Sequence, residues 1–288
     1  MKNTHKLYTD VIAKSGSKNE PLEVTANGVY EAPKGTGYSP VKVNVPQTAE
    51  SGTLKAFLDA TKYSSWLFYG YKGTSIDDLI KYSDTSSVID MWAMFFACNN
   101  LTTIPQLDTS NVTNMREMFR NCSRLISIPQ LDTSKVTNME NMFDNCNNLT
   151  TIPQLDTSNV TDMSYMFYQC NKLTNIPQLD TSKVTDMDNM FTVCNNLTTI
   201  PKLDASKATS FSYIFDGCIM LTSIGLYGFK RSIKITDTAL GHDAIVAFLN
   251  QAGTAYNSYQ KITMGSTKLA LLSDEEKAIA TNKGWTLA

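Results

Sequence analysis

All six cysteines of the chain, Cys98, Cys122, Cys146, Cys170, Cys194 and Cys218, stand 24 residues apart. Pro105, Pro129, Pro153, Pro177 and Pro201 keep the same step, as do Asp84, Asp108, Asp132, Asp156, Asp180 and Asp204. The stretch IPQLDTSNVTNMREMFRNC at 104–122 returns almost letter for letter at 128–146. A fixed period of roughly 20 to 30 residues marks a stacked solenoid. One coil is too small to bury its own apolar face, so its neighbours must bury it.

In the copy beginning at Leu101, residues Val112, Met115, Met118, Phe119 and Cys122 fall at helical spacing and form one apolar stripe. Thr113 precedes the stripe as an N-cap, and Thr137 with Glu140 makes a capping-box pattern in the next copy. The LTTI segment before each proline reads as a short strand. Proline brings no N–H to a ladder, so the strand is expected to end there, with DTSN following as a turn. The expected fold class is therefore α/β, a solenoid of 24-residue strand-turn-helix coils stacked about 4.8 Å apart.

The pattern drifts at both ends. TKYSSWLFYGY carries Tyr71 where a cysteine would stand, and the last copy has Ala208, Phe211 and Ile214 in the apolar stripe. RSIKITD, YQKITMGS and GWTLA then read as three short strands, separated by helices at GHDAIVAFLNQAG and SDEEKAIATNKG. Ser273 and Glu276 form a capping box on the second helix. Near the N-terminus, EVTANGVYEAPKGTGYSPVKVNVP reads as a pair of strands, with Val41, Val43 and Val45 at period two. The expected division is 1–50 as a small β element, 51–228 as the solenoid and 229–288 as helical and strand capping coils.

The net charge is −2, and acidic residues outnumber basic ones twelve to eight across 99–218, which argues against a nucleic-acid partner. No run is long and apolar enough to span a membrane, and MKNTHKLYTDVIAKSGSKNE has no signal-type apolar region. His5 and His242 are the only histidines, and no glycine-rich phosphate loop, HExxH or GxSxG occurs. With those motifs missing, we expect no enzyme and no cofactor. One cysteine per coil on the apolar stripe is the pattern of a buried packing thiol. The Asp column could gather a cation through its carboxylates, or each Asp could close its own D-T-S turn. We take the second reading, because no Asp-x-Asp-x-Gly spacing accompanies it.

Two surfaces compete as binding sites. Gln106, Gln130, Gln154 and Gln178 repeat after each proline, on a uniform Thr/Gln face suited to a repetitive partner such as a polysaccharide. The expected helix face varies from copy to copy. It offers Arg116 and Arg120 as charged contacts and Tyr165, Tyr168 and Tyr213 as aromatic anchors for one particular protein.

Leu-x-x-Ile-Pro followed by Val-Thr-x-Met-x-x-Met-Phe-x-x-Cys resembles the BspA-like leucine-rich-repeat surface proteins, over roughly residues 60–224. The resemblance implies a leucine-rich-repeat solenoid and a role in adhesion or recognition. Residues 26–46 and 272–288 are similar to terminal modules of phage and prophage tail- or fibre-type proteins. Together these imply a phage virion structural protein that displays the solenoid for host recognition, with a bacterial cell-surface adhesin as the alternative. The implied partners are other virion proteins through residues 1–50 and a host glycan or protein. Fibre proteins are commonly homo-oligomers, although no heptad pattern here dictates one.

Overall fold

The computed structural model describes residues 88–288, residues 65, 68–71, 73–76 and 85–86 before them, and five three-residue strands nearer the N-terminus. These strands are β1 (Thr4–Lys6), β2 (Glu23–Thr25), β3 (Val29–Glu31), β4 (Lys42–Asn44) and β5 (Phe57–Asp59). β1 pairs with β2, and β4 pairs with both β3 and β5, all antiparallel. The β3–β4 pair sets Tyr30 opposite Val43, within the stretch expected to hold paired strands. Val41, Val45, Asp84 and most of the proposed docking element at 1–50 lie outside the described residues.

From Val88 to Cys218 the chain is a solenoid, but its coils contain no α-helix among the described residues. This corrects the strand-turn-helix expectation. The N–H groups of Met115, Glu117, Phe119 and Asn121 donate to the carbonyls of Asn138, Glu140, Met142 and Asp144, one coil further on, at 2.7–3.1 Å. In an α-helix each of them would return to a carbonyl four residues back. Only the residues between them close local turns, Met118 to Met115, Arg120 to Glu117 and Cys122 to Phe119.

The cause lies in the backbone at Glu117 and Asn121, whose φ angles are 56° and 62°, and at the same positions in later coils. A left-handed residue at every fourth position breaks the helical path and turns alternate N–H groups along the solenoid axis. Asn tolerates that conformation better than most residues. Asn121, Asn141, Asn145 and Asn189 all sit in it, and Gly217 takes the place in the last coil. The segment starts at Asn114, whose Oδ1 accepts from the Arg116 N–H at 3.1 Å, with Asn138, Asp162 and Asp186 repeating the contact. Thr113 is thus not the cap. Its hydroxyl donates to the Ile89 carbonyl of the coil before.

The core is a set of columns. Phe68, Phe95, Phe119, Phe143, Phe167, Phe191 and Phe215 form one stack of near-parallel rings, with centroids 5.4 Å apart at one end and 6.1 Å at the other. Each thiol donates to the carbonyl of the Phe one coil back, as Cys122 does to Phe95 and Cys146 to Phe119, at about the contact distance of a weak S–H donor. All six thiols are buried and unpaired by disulfide. Burial pushes the Cys122 and Cys170 thiols well above their ordinary pKa and Cys218 up to about 12.

The LTTI segments make one main-chain bond per coil, such as Ile126 N–H to Thr102 carbonyl, and form no regular strand before residue 199. The proline column interrupts the rung, and the next residue supplies the missing donor. The amide nitrogen of Gln106 bonds the Gln130 carbonyl at 2.7 Å, and Gln130 and Gln154 repeat this to the next coil. A true strand appears where the column ends. β6 (Thr199–Asp204) pairs in parallel with β7 (Ser223–Tyr227), where Gly225 replaces the proline. β6 runs through Pro201 rather than stopping at it, with a register shift between Ile200 and Leu203 absorbing the missing N–H. A Cβ on Gly225 would lie 2.5 Å from the Pro201 carbonyl oxygen.

The C-terminal elements are β8 (Ile233–Lys234), α1 (His242–Gln251), β9 (Lys261–Thr263), α2 (Gly265–Leu269), α3 (Asp274–Thr281) and β10 (Thr286–Leu287). The three strands form a parallel sheet with β9 at its centre. The helices fall where the sequence places them, apart from the short α2, which it does not signal. Both bonds of the Ser273–Glu276 capping box are present. Phe229 stacks on Phe248 at 4.9 Å and meets Trp285 at 5.4 Å, and the Trp285 indole N–H donates to the Gly253 carbonyl. Lys283 Nζ binds three carbonyls at the end of α1, those of Leu249, Asn250 and Ala252, where a cation complements the helix terminus.

Two outcomes are expected. Phe143→Ala opens a void in the middle of the column and should cost about 3–5 kcal/mol, read as a lower denaturation midpoint. Timed alkylation followed by mass spectrometry should find no modified cysteine in the native chain and six in denaturant. Rapid labelling of native thiols would contradict the buried column.

Candidate binding groove

A groove of about 990 Å³ runs along one face of the solenoid. Its lining repeats coil by coil: Gln130, Asp132 and Ser134, then Gln154, Asp156 and Ser158, then Gln178, Asp180 and Ser182. Lys202, Asp204 and Tyr227 line its C-terminal end. Of the sequence-derived candidates, Gln130, Gln154 and Gln178 therefore share this groove. Gln106 lies one coil beyond it and joins the same ladder of amide bonds.

Every described Asp of the column closes its own turn. The Ser110, Ser134, Ser158, Ser182 and Ser206 N–H groups donate to the Oδ1 atoms of Asp108, Asp132, Asp156, Asp180 and Asp204 at 2.8–3.0 Å. Bonds from the Ser134 hydroxyl and amide hold Asp132 below the usual carboxylate range, and Ser182 does the same for Asp180. At Asp156 the Ser158 amide leads, followed by its hydroxyl. Asp132, Asp156 and Asp180 are thus ionised at neutral pH. Among the described residues no three His, Cys, Asp or Glu groups converge as a metal site.

The Thr of each D-T-S turn faces inward. Thr109, Thr133 and Thr157 each donate a hydroxyl hydrogen bond to the Asp carbonyl of the next coil at 2.8 Å. Thr181 lines the groove and is 2% exposed, yet its hydroxyl has no hydrogen-bond partner. The following coil differs from the earlier ones, since it pairs Asp204 with Tyr227 in a strand. Beside the groove Asn and Lys alternate from Asn111 to Lys183, and Lys207 then follows Lys183. The Lys135 and Lys183 ammonium groups donate to Asn111 and Asn159 Oδ1 at 2.7 and 2.8 Å.

The varied face is a separate surface, and none of Arg116, Arg120, Tyr165, Tyr168 or Tyr213 lines the groove. Arg116 pairs with Glu117 and with Glu140 one coil on, and Arg120 contacts Asp144 one coil on at 2.8 Å. These arginines tie coils together. Tyr165 and Tyr168 meet at 5.6 Å with tilted rings, and Tyr213 stands 62% exposed. Burial raises the Asp144 carboxyl to about 6, against the opposing pull of Arg120. Its folded pKa thus exceeds the unfolded value near 3.9, so the folded state binds the proton more tightly and stability falls as pH rises from about 4 to about 6. Asp144→Asn removes this dependence. The Tm difference between variant and parent should shift in the variant's favour between pH 4 and pH 7, and a constant difference would contradict the assignment.

No curated protein matches the chain. Among solved structures it is similar to a leucine-rich repeat protein of T. pallidum, with 17% identity and a TM-score of 0.42 over 65% of this chain and 84% of that one. It is also similar to a leucine-rich repeat protein from Bacteroides ovatus, with 19% identity and a TM-score of 0.36 over 78% of this chain and 64% of that one. One family model matches residues 63–174 and again residues 126–225, spans that together take in more than half of the sequence. The chain belongs to the family described as Mycoplasma protein of unknown function, DUF285.

Proposed function

We propose that the chain is a non-enzymatic recognition module that binds a polysaccharide along the groove and serves adhesion at a bacterial surface. The observation that carries this reading is the repetition of the lining. The same Gln, Asp and Ser groups return once per coil over three coils. A ligand that uses them all must repeat with the coil spacing, about 4.8 Å. An extended peptide advances about 3.3 Å per residue and falls out of register. An extended pyranose chain advances by about one ring per residue and stays close to it. The hydroxyl and amide groups of such a chain match the mixture of donors and acceptors in the groove.

A particle-borne setting, with residues 1–50 docked to other virion proteins, rests on the two terminal resemblances alone. The family match covers only the solenoid and supports the cell-surface setting at least as well. Recognition of a protein by the varied face is the second reading, and the exposed ring of Tyr213 favours it.

Co-sedimentation with insoluble polysaccharides separates these readings. The parent chain should pellet with at least one of cellulose, chitin or peptidoglycan. Ser158→Trp, which fills the middle of the groove, should abolish pelleting, and Tyr165→Ala should leave it intact. Pelleting that survives Ser158→Trp, or that occurs with none of the three, removes the groove reading.

A further inference from the structure

The charges of the C-terminal coils are sorted by edge. Beyond residue 228 the carboxylates are Asp237, just after β8, Asp243 in the first turn of α1, and Asp274, Glu275 and Glu276 in the first turn of α3. All stand where a strand finishes or a helix begins. Lys230, Arg231, Lys261 and Lys283 stand at the opposite edge, at or just before the start of each strand. Segments 228–232, 252–261 and 282–285 hold no Asp or Glu. Helix dipoles explain part of this sorting, since acidic residues suit helix N-termini and Lys283 is engaged with the carbonyls that close α1. They do not explain Lys230, Arg231 or Lys261, none of which enters an ion pair among the described residues.

This edge is held in place by its own hydrogen bonds. The Tyr256 N–H donates to the Lys230 carbonyl at 2.9 Å, and the Lys261 N–H donates to the Ser232 hydroxyl at 3.0 Å. The Ser232 N–H donates to Gln260 Oε1 at 2.6 Å. The Arg231 guanidinium lies over the Tyr256 ring, 3.5 Å from its centre. A guanidinium held by its face keeps its in-plane N–H groups for a carboxylate or phosphate. Tyr256 and Tyr259 are 63% and 82% exposed, and no large aliphatic side chain is exposed in these segments. The preceding coil adds Asp204, tied to the Ser206 N–H, and Lys207.

We propose that this edge is a second binding surface, separate from the groove, for an anionic polysaccharide. Lys230, Arg231 and Lys261 hold its carboxylate or phosphate groups, Tyr256 orients Arg231, and Tyr259 lies against a sugar ring. None of these residues lines the groove. The whole chain carries a net charge of −2, so the local sign runs against the overall one. An exposed aromatic ring with an apolar body and a polar tip suits the face of a sugar. An acidic peptide is recognised in a groove or along an open strand, whereas this edge presents strand ends, with β9 flanked by β8 and β10. A bilayer would call for aliphatic side chains to insert.

Isothermal titration of the full chain with polygalacturonate, which carries carboxylates, and with phosphomannan, which carries phosphates, tests this surface. Methyl-esterified polygalacturonate, polyglutamate and vesicles of equal parts phosphatidylcholine and phosphatidylglycerol serve as comparators. At least one of the two anionic polysaccharides should bind about tenfold tighter than the ester and lose affinity in salt, and the one that binds identifies the anionic group. Arg231→Gln combined with Lys261→Gln should weaken that binding about tenfold, and Tyr259→Ala about threefold without a change in Tm. Ser158→Trp, which fills the groove, should leave it unchanged. Binding of neither polysaccharide, or equal affinity for the ester, overturns the proposal. Equal or tighter binding of polyglutamate or of the vesicles overturns the choice of a sugar polymer, as does unchanged affinity in Tyr259→Ala. Binding lost in Ser158→Trp but kept in the Arg231 and Lys261 variant overturns this surface and leaves the groove reading standing.

Discussion

The main chain of each coil cannot satisfy itself, and the rest of the structure depends on that fact. Alternate N–H groups along 115–121 point away from their own coil and must find carbonyls on the next. Buried main-chain groups without partners are costly, so a single coil is unstable by construction. The requirement is met by stacking, and stacking then lines up every side chain with its counterpart 24 residues away. Columns of Phe, Met and Cys follow from the backbone ladder rather than causing it. Packing adds the apolar burial that makes the stack durable.

Where the ladder lacks a main-chain partner, side chains stand in. Gln106, Gln130 and Gln154 supply the donor that the adjacent proline cannot, Thr109 bonds the next Asp carbonyl, and Cys122 donates to the carbonyl of Phe95. Residues that look like a chemical motif because they recur are therefore largely scaffold. The groove exists because this scaffold is polar on one side. Its floor of Gln, Asp and Ser is what remains on the surface after each group has closed a turn or bridged a coil.

Much of this was legible in the sequence. The 24-residue step implies stacking without any structure, and the capping box at Ser273 and Glu276 fixes the start of the last helix by itself. The apolar pattern does not fix the coil conformation, because Val112, Met115, Met118, Phe119 and Cys122 satisfy a helical period and a turn ladder equally well. Apolar spacing reports which side chains face inward, not where the N–H groups go. The distinguishing signal was present in Asn121, Asn145 and Gly217, residues that favour left-handed backbone and recur at the same position. For the site, repetition picked out the glutamines but could not reveal that their nitrogens are engaged. Variation between copies suggested Arg116 and Arg120 as contacts, yet their partners Glu140 and Asp144 vary along with them one coil on. Thr181 gives no signal in the sequence, because its D-T-S turn reads like those of the coils before it.

The alternation beside the groove bears on how such an array can change length. Over Asn111, Lys135, Asn159 and Lys183 that column repeats every two coils, with each lysine resting on the asparagine before it. Lys207 follows Lys183 and ends the alternation. Removing the coil of Asn159 alone would set Lys183 on Lys135 and take away its asparagine partner. Removing the coils of Lys135 and Asn159 together would set Lys183 on Asn111 and keep the contact. Within this stretch the array is thus more tolerant of a change by two coils than by one.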